Sequence, residues 1–132
     1  MVPPENRRDP ETDLEPVFRL LASEQRRHLL YLLREHETVT LDDLADILTG
    51  WLASRHGDTV ATPEDRQRVY TKLYHVDVQK LVDSGVVEFD EGSGEVALAE
   101  LSPAADQLLD CALELEPETT AEAIAAVDTG EE

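Results

Sequence analysis

Lysine and cysteine are almost missing from this sequence, which has two lysines and one cysteine in 132 residues. A single cysteine, Cys111, excludes an internal disulfide and any zinc site built from several cysteines. No apolar run approaches the roughly 18 residues that a membrane-spanning helix needs, so we expect no membrane insertion. Residues 1–16 contain no apolar segment of the signal-peptide kind, and we therefore expect a cytoplasmic protein.

Motifs that carry catalytic or cofactor chemistry are also missing. There is no glycine-rich phosphate loop, no GxSxG and no Cys–His nucleophile pattern. The histidines lie on separate segments without metal-ligand spacing; they are His28, His36, His56 and His75. Cys111 lies among leucines and is expected to be a small buried hydrophobic residue. We therefore expect no enzyme activity, no metal, no cofactor and no small-molecule ligand.

Acidic residues are what the sequence has in excess. Asp and Glu total 30 against 11 Lys and Arg, which gives a formal net charge of −19. Carboxylates hold hydrated cations and keep a chain soluble in concentrated salt, so this balance predicts a halophilic protein. An ordinary protein with an acidic tail is the alternative, but here the acids are spread over the whole length. A hydrophobic content of 41% is enough for one small folded domain.

Two polar ends flank the part of the chain with regular periodicity. Residues 1–13 are predicted to be a disordered arm and residues 117–132 an acidic flexible tail, which leaves residues 14–116 as the folded domain. Capping residues mark four of the helix starts; they are Ser23, Thr40, Thr62 and Ser102. The pattern predicts helices over 14–22, 24–37, 41–57, 63–83 and 103–116, with strands over 86–90 and 95–99.

The order of these elements predicts a winged helix-turn-helix. Three helices followed by a two-stranded hairpin define that fold, and the first and last helices would be flanking additions. The predicted class is therefore mainly α with a small β-hairpin. In this fold the helix immediately before the hairpin enters the DNA major groove. Here that helix contains RQRVYTKLYHVDVQKL, residues 66–81, an unusually basic run for so acidic a chain.

One face of this helix carries the residue types that read DNA bases. At 100° per residue, a buried arc is predicted for Val69, Tyr70, Leu73, Tyr74, Val76 and Leu81. A polar ridge without acids is predicted for Arg68, Thr71, Lys72, His75 and Gln79. Arg and Lys donate to guanine, Gln pairs with adenine, and Thr offers a hydroxyl or a methyl.

Three other polar residues of the run map close to the buried arc, and they are Arg66, Asp77 and Lys80. Arg66 is a further candidate for DNA contact, although its side chain, like that of Lys80, would have to extend along the surface to reach solvent. Asp77 also falls on the buried arc. The helix is therefore predicted to be distorted, or to end, near residues 77–80.

The basic face also has simpler explanations. An exposed basic stripe on an amphipathic helix is usually a solvated surface. Repulsion of phosphate is expected from the acids of the predicted hairpin, which are Glu88, Asp90, Glu91 and Glu95. Counterion release, which drives phosphate binding in dilute buffer, contributes little in molar salt. A protein–protein interaction module on the same scaffold, without DNA contact, is the alternative function.

The last helix could join two copies of the chain. Its tentative dimerisation residues are Leu108, Leu109, Ala112 and Leu113, and Leu115 completes its apolar side. A homodimer would suit double-stranded DNA with two-fold symmetric sites. The other interpretation is that this helix covers the core of its own monomer.

Two segments, PVFRLLASEQRRHLLYLL and LYHVDVQKLVDSGVVEFDEGSGEVAL, resemble haloarchaeal winged-helix proteins of the ArsR-like class, a largely uncharacterised domain family. Arg26 and Arg27 match the arginine-rich start of that family's second helix. The end of its reading helix is matched by Tyr74-His75-Val76 and Lys80-Leu81. The family tends to have His, Leu and Pro at three positions where this chain departs from it: Asp77, Val78 and Gln79. The resemblance implies a transcriptional regulator and names no target.

Overall fold

The computed structural model of the chain describes residues 14–55 and 61–116. These residues form a mainly helical domain with a small three-stranded antiparallel sheet. The predicted arm and tail lie outside the described residues, as does Gly57, the predicted end of the third helix. In chain order the elements are α1 (Leu14–Leu21), α2 (Glu24–His36), β1 (Thr38–Thr40), α3 (Leu41–Arg55), α4 (Pro63–Lys72), a π-helical turn (Leu73–Asp77), α5 (Val78–Asp83), β2 (Val87–Asp90), β3 (Glu95–Leu98) and α6 (Pro103–Leu115).

The predicted helix caps are confirmed. The Ser23 hydroxyl accepts a hydrogen bond from the Arg26 amide at 3.2 Å, so α2 begins as predicted. The same arrangement begins α3 at Thr40 and α6 at Ser102, each at 3.1 Å. Thr62 begins α4 with a complete capping box, in which the Asp65 carboxylate also accepts from the Thr62 amide. Each cap satisfies amides that have no partner within the first turn of a helix.

The sheet contains one strand that the sequence did not indicate. The predicted hairpin is present as β2 and β3, and β1 pairs antiparallel with the other edge of β3, which gives the order β1-β3-β2. Val96 is therefore central, with Val39 and Phe89 as its neighbours. The three residues of β1 are too few to show an alternating pattern. Gly94, at φ 78°, ends the hairpin turn, and its carbonyl accepts from the Leu41 amide at 2.8 Å.

The core is built around α2. Its leucines are fully buried; they are Leu29, Leu30, Leu32 and Leu33. Around them pack α3, the segment from α4 to α5, and the inner face of the sheet. Helices α1 and α6 contact each other and α2, so they cover one side of this core. The segment that carries the predicted ridge is thus held between α3 and the hairpin.

The fourth predicted helix is interrupted by the π-helical turn, in which the Val78 amide donates to the Leu73 carbonyl. This turn holds an extra residue relative to the 3.6-residue period on which the prediction rested. The prediction that Val76 is buried was wrong, since its exposed fraction is 37%, whereas Asp77 and Val78 are fully buried. The predicted distortion of this helix is present, but it lies at residues 73–77 and shares only Asp77 with the predicted range 77–80.

Two predictions about α6 were wrong. Cys111 is exposed, and so is Leu115, which is 80% exposed. The helix buries Ala105 and Leu109, and Cys111 lies about 200° around the helix from Leu109 at 100° per residue. Leu108, Ala112 and Leu113 pack against the same core. All four tentative dimerisation residues therefore contact the core of their own chain.

Candidate nucleic-acid interface

The α4 ridge is the set of polar side chains predicted to read DNA: Arg68, Thr71, Lys72, His75 and Gln79. All five are exposed, and they span α4, the π-helical turn and α5. The capping box at Thr62 fixes the start of α4, while Leu73, Val78 and Leu81 bury its opposite side. The local sequence therefore gives this segment one anchored face and one solvent face.

The α4 ridge has one arginine and one lysine, and both are paired with carboxylates. The Arg68 guanidinium donates to Asp65, three residues earlier on the exposed surface. The Lys72 ammonium donates to both oxygens of Asp77, at 3.0 and 3.2 Å. The Asp77 side chain is fully buried, whereas that of Lys72 is 45% exposed. Lys72 therefore covers a buried acid as well as facing solvent.

Arg66, the further candidate, points away from the α4 ridge and toward α3. Its guanidinium donates to the Asp46 carboxylate at 2.5 Å and to the Asp42 carbonyl at 3.1 Å, and it lies over the Tyr70 ring. The hydrogen bond to Asp46, which outweighs the cost of partial burial, raises the pKa of Arg66. Arg66 therefore fastens α4 to α3, and its charge is already compensated.

The uncharged members of the α4 ridge make weaker contacts. The Gln79 amide donates to the Tyr74 carbonyl at 3.3 Å, and the Thr71 hydroxyl accepts from Gln67 at 3.4 Å. The His75 ring packs edge-on against Tyr74, with centroids 4.7 Å apart. Hydrogen bonds of 3.3–3.4 Å are weak and exchange readily for new ones, and a ring contact leaves the side chain free to form hydrogen bonds. These three side chains are therefore available to a ligand.

Almost every described cation of the chain is paired in the same way. Carboxylates lie within salt-bridge distance of Arg19, Arg26, Arg27, Arg34, Arg66, Arg68 and Lys72. Among the lysine and arginine side chains that the structure describes, Lys80 alone has no such partner, and it is exposed. The hairpin acids predicted to repel phosphate are exposed as well. The α4 ridge is thus not an isolated positive strip.

A buried ionic cluster behind the α4 ridge was missed by the sequence reasoning. Asp77 accepts from Arg26 at 3.2 Å and from Gln25 at 2.9 Å, in addition to Lys72. Arg26 also donates to the carbonyls that end α1, those of Arg19 and Leu20. The cluster joins α1, α2 and the π-helical turn. Its only sequence signal was Asp77 itself, an acid on a face expected to be apolar.

A second, largely buried ion pair begins at the next residue of α2 and joins it to the end of α6. Arg27 donates to both oxygens of Glu116, at 2.9 and 3.3 Å, and the Tyr31 hydroxyl donates to the same carboxylate. Burial favours the neutral acid, but the hydrogen bonds from Arg27 and Tyr31 outweigh it and lower the pKa of Glu116. Burial and the neighbouring carboxylate raise the pKa of Tyr31. Glu116 is therefore a carboxylate at neutral pH and holds the end of α6 against α2.

The fold and the α4 ridge together define a class of protein: a mainly helical domain with a small antiparallel sheet and one polar helix face beside a hairpin. The chain belongs to a family described as a domain of unknown function (DUF7344), whose model matches residues 18–97. The match covers α2 through most of β3 and leaves out α6. No curated protein and no solved structure matched the chain. Within the described residues, no helix is long and apolar enough to cross a membrane.

Proposed function

We propose that the chain is a winged helix-turn-helix DNA-binding transcriptional regulator that works in concentrated salt. The order α2, β1, α3, the α4–α5 segment, β2, β3 supports this, because it includes the third strand that winged helices carry beside their hairpin. The α4–α5 segment then takes the position of the reading helix, and β2–β3 that of the wing. The resemblance to ArsR-like regulators agrees with this assignment.

One observation carries the proposal: the acid-free, exposed α4 ridge lies directly before the hairpin. In a chain with 30 acids, a face of Arg, Thr, Lys, His and Gln is the face best suited to the major groove. Exposed ion pairs such as Arg68–Asp65 contribute little to the stability of a protein, so a base edge can displace them. In molar salt the Debye length is about 3 Å, which also weakens repulsion between the hairpin acids and phosphate.

Selection from a random duplex library tests the proposal. The purified chain is incubated with the library in molar KCl, and bound duplexes are recovered, amplified and sequenced through several rounds. We expect one short motif to be enriched, because specificity must come from base contacts when phosphate contacts are weak. A pool that stays random after several rounds would contradict DNA reading by this domain.

The pairing of nearly all described cations favours a second candidate, a protein-interaction module. Phosphate binding by Arg68 or Lys72 requires breaking a contact to Asp65 or Asp77, whereas a protein partner can dock without that exchange. Affinity capture in molar KCl separates the two candidates. One stoichiometric protein without enriched DNA supports the module, and enriched DNA without a stoichiometric protein supports the regulator.

A homodimer is part of the proposed regulator, since two-fold sites need two reading helices. Leu109 is fully buried within the chain, so a contact through α6 has to use its exposed side, which includes Leu115. Sedimentation equilibrium in molar KCl tests this point. A dimeric mass that Leu115→Glu reduces to a monomer supports such a contact, and a monomeric wild-type chain contradicts it.

A further inference from the structure

Three potential metal ligands converge where the start of α2 meets the end of α6. Glu24 and His28 lie one turn apart on α2, and Glu116 directly follows α6. One ligand atom from each lies within 4.8 Å of the other two. In a tetrahedral site with bonds of about 2.1 Å, ligand atoms are about 3.4 Å apart, so a modest side-chain movement would close this one.

The His28 ring is buried and held in place by its neighbours. Its exposed fraction is 2%, and its Nδ1 lies 2.8 Å from the Glu24 carbonyl oxygen. In the tautomer that donates from Nδ1 to this carbonyl, Nε2 carries the lone pair, an arrangement common among metal-bound histidines. The rings of Tyr31 and Trp51 pack against the imidazole, with centroids 5.5 and 5.3 Å away, and restrict its rotation.

Glu116 is supported in the way that ligating carboxylates usually are. Arg27 and Tyr31 donate three hydrogen bonds to it, and a carboxylate offers about four lone-pair positions. Partners of this kind orient a ligating carboxylate and are part of most metal sites. The positive charge of Arg27 also offsets part of the charge of two carboxylates placed close together.

We propose that Glu24, His28 and Glu116 bind one divalent metal ion of the Zn²⁺ class. An imidazole with two carboxylates suits Zn²⁺, Co²⁺ or Mn²⁺, whereas Mg²⁺ and Ca²⁺ prefer oxygen alone. Three protein ligands leave at least one coordination position for water. The ion would fasten α6 to α2. The proposal does not depend on DNA binding, and it departs from the sequence expectation, which considered only spacing among histidines and cysteines.

Titration of the chelator-treated chain with Zn²⁺ tests the proposal, with Co²⁺ as the spectroscopic probe. Both titrations are done in molar KCl, which suppresses loose binding of divalent ions to the acidic surface. We expect one ion per chain, visible absorption from bound Co²⁺, and a higher unfolding temperature with Zn²⁺ because the ion binds the folded chain. Glu24→Gln and His28→Gln should each weaken Zn²⁺ binding by at least about tenfold. Loss of a side chain that only hydrogen-bonds to a metal ligand already weakens metal binding by about that much.

Matched controls keep the outcome decisive. Glu35→Gln removes an exposed carboxylate from α2, and His75→Gln removes an exposed imidazole from the π-helical turn. Neither should change the affinity. Because His28 is buried and its variant could unfold, Glu24→Gln serves as the second, independent probe. Zn²⁺ affinity that is unchanged in Glu24→Gln, or an absence of stoichiometric binding by the wild-type chain, would overturn the proposal.

Discussion

At the scale of single residues, Asp77 has the largest structural role in the α4–α5 segment. It is a fully buried acid that receives hydrogen bonds from Gln25, Arg26 and Lys72. A buried charge stays stable only when it is paired and hydrogen-bonded, so each donor depends on the acid. This also means that Lys72→Ala is a poor probe of DNA contact, because it removes a partner from Asp77.

We expect Asp77→Asn to destabilise the domain by about 3–5 kcal/mol, since it leaves the Arg26 charge in the protein interior without an acid. The free energy of unfolding, measured by denaturant titration at fixed KCl, checks this. Asp106→Asn is the matched control, because its bridge to Arg34 is half exposed and should contribute less than about 1 kcal/mol. Equal losses of unfolding free energy in the two variants would show that the Asp77 cluster contributes no more to stability than an exposed ion pair does.

At the scale of elements, the start of α4 depends on the capping box of Thr62 and Asp65. Hydrogen bonds from the Thr62 amide and hydroxyl lower the pKa of the Asp65 carboxyl below its usual value of 3.8. A folded-state pKa below the unfolded one gives stability that is complete above the unfolded pKa and is lost as the pH falls through the folded one. The cap should therefore weaken only in acid.

Thr62→Ala should cost about 1 kcal/mol at neutral pH, because it leaves an amide of the first turn without its partner. Asp65→Asn should flatten the decline of stability with falling pH below about pH 4. Thermal unfolding followed by circular dichroism, at steps of about half a pH unit between pH 3 and 7, checks both variants. Thr71→Ala, exposed on the same helix, is the control. A decline in Asp65→Asn as steep as in the wild type would exclude the carboxylate as its source.

The sequence could predict the features that depend on a few neighbouring residues. The caps at Ser23, Thr62 and Ser102 and the β2–β3 hairpin are of this kind, and all are present. Strand β1 was not predictable, because three residues carry no period and its pairing partner lies far along the chain.

The same limit explains most of what was missed in the candidate site. Asp77, which ends the π-helical turn, contacts Gln25 and Arg26, about fifty residues away. The spacing of Glu24 and His28 was visible, but their proximity to Glu116 depends on how α6 folds back. The exposed face of the α4–α5 segment was predictable, but the carboxylate partners of its cations were not.

At the scale of the whole molecule, charge pairing sets the expected salt response. The log of DNA affinity falls by about 0.9 per phosphate contact for each tenfold rise in salt. Lys80 is the described cation without a carboxylate partner, and Arg68 and Lys72 are the pairs that a ligand could displace. We therefore expect a slope no steeper than about −2.7 per chain in KCl titrations followed by fluorescence anisotropy. A slope several times steeper would require phosphate contacts that these residues cannot supply.

The central claim is that the α4 ridge reads DNA, and the affinity of a ridge variant for the selected duplex tests it most directly. Arg68→Ala, His75→Ala and Gln79→Ala are combined, and Lys72 is left in place because it supports Asp77. Arg19→Ala, an exposed arginine on α1, is the control for charge. In molar KCl we expect the triple variant to lose at least about 2 kcal/mol of binding free energy, given roughly 1–3 kcal/mol per base contact, with unfolding unchanged. The control should bind as the wild type does. Equal affinity of the triple variant and the wild type would contradict the account.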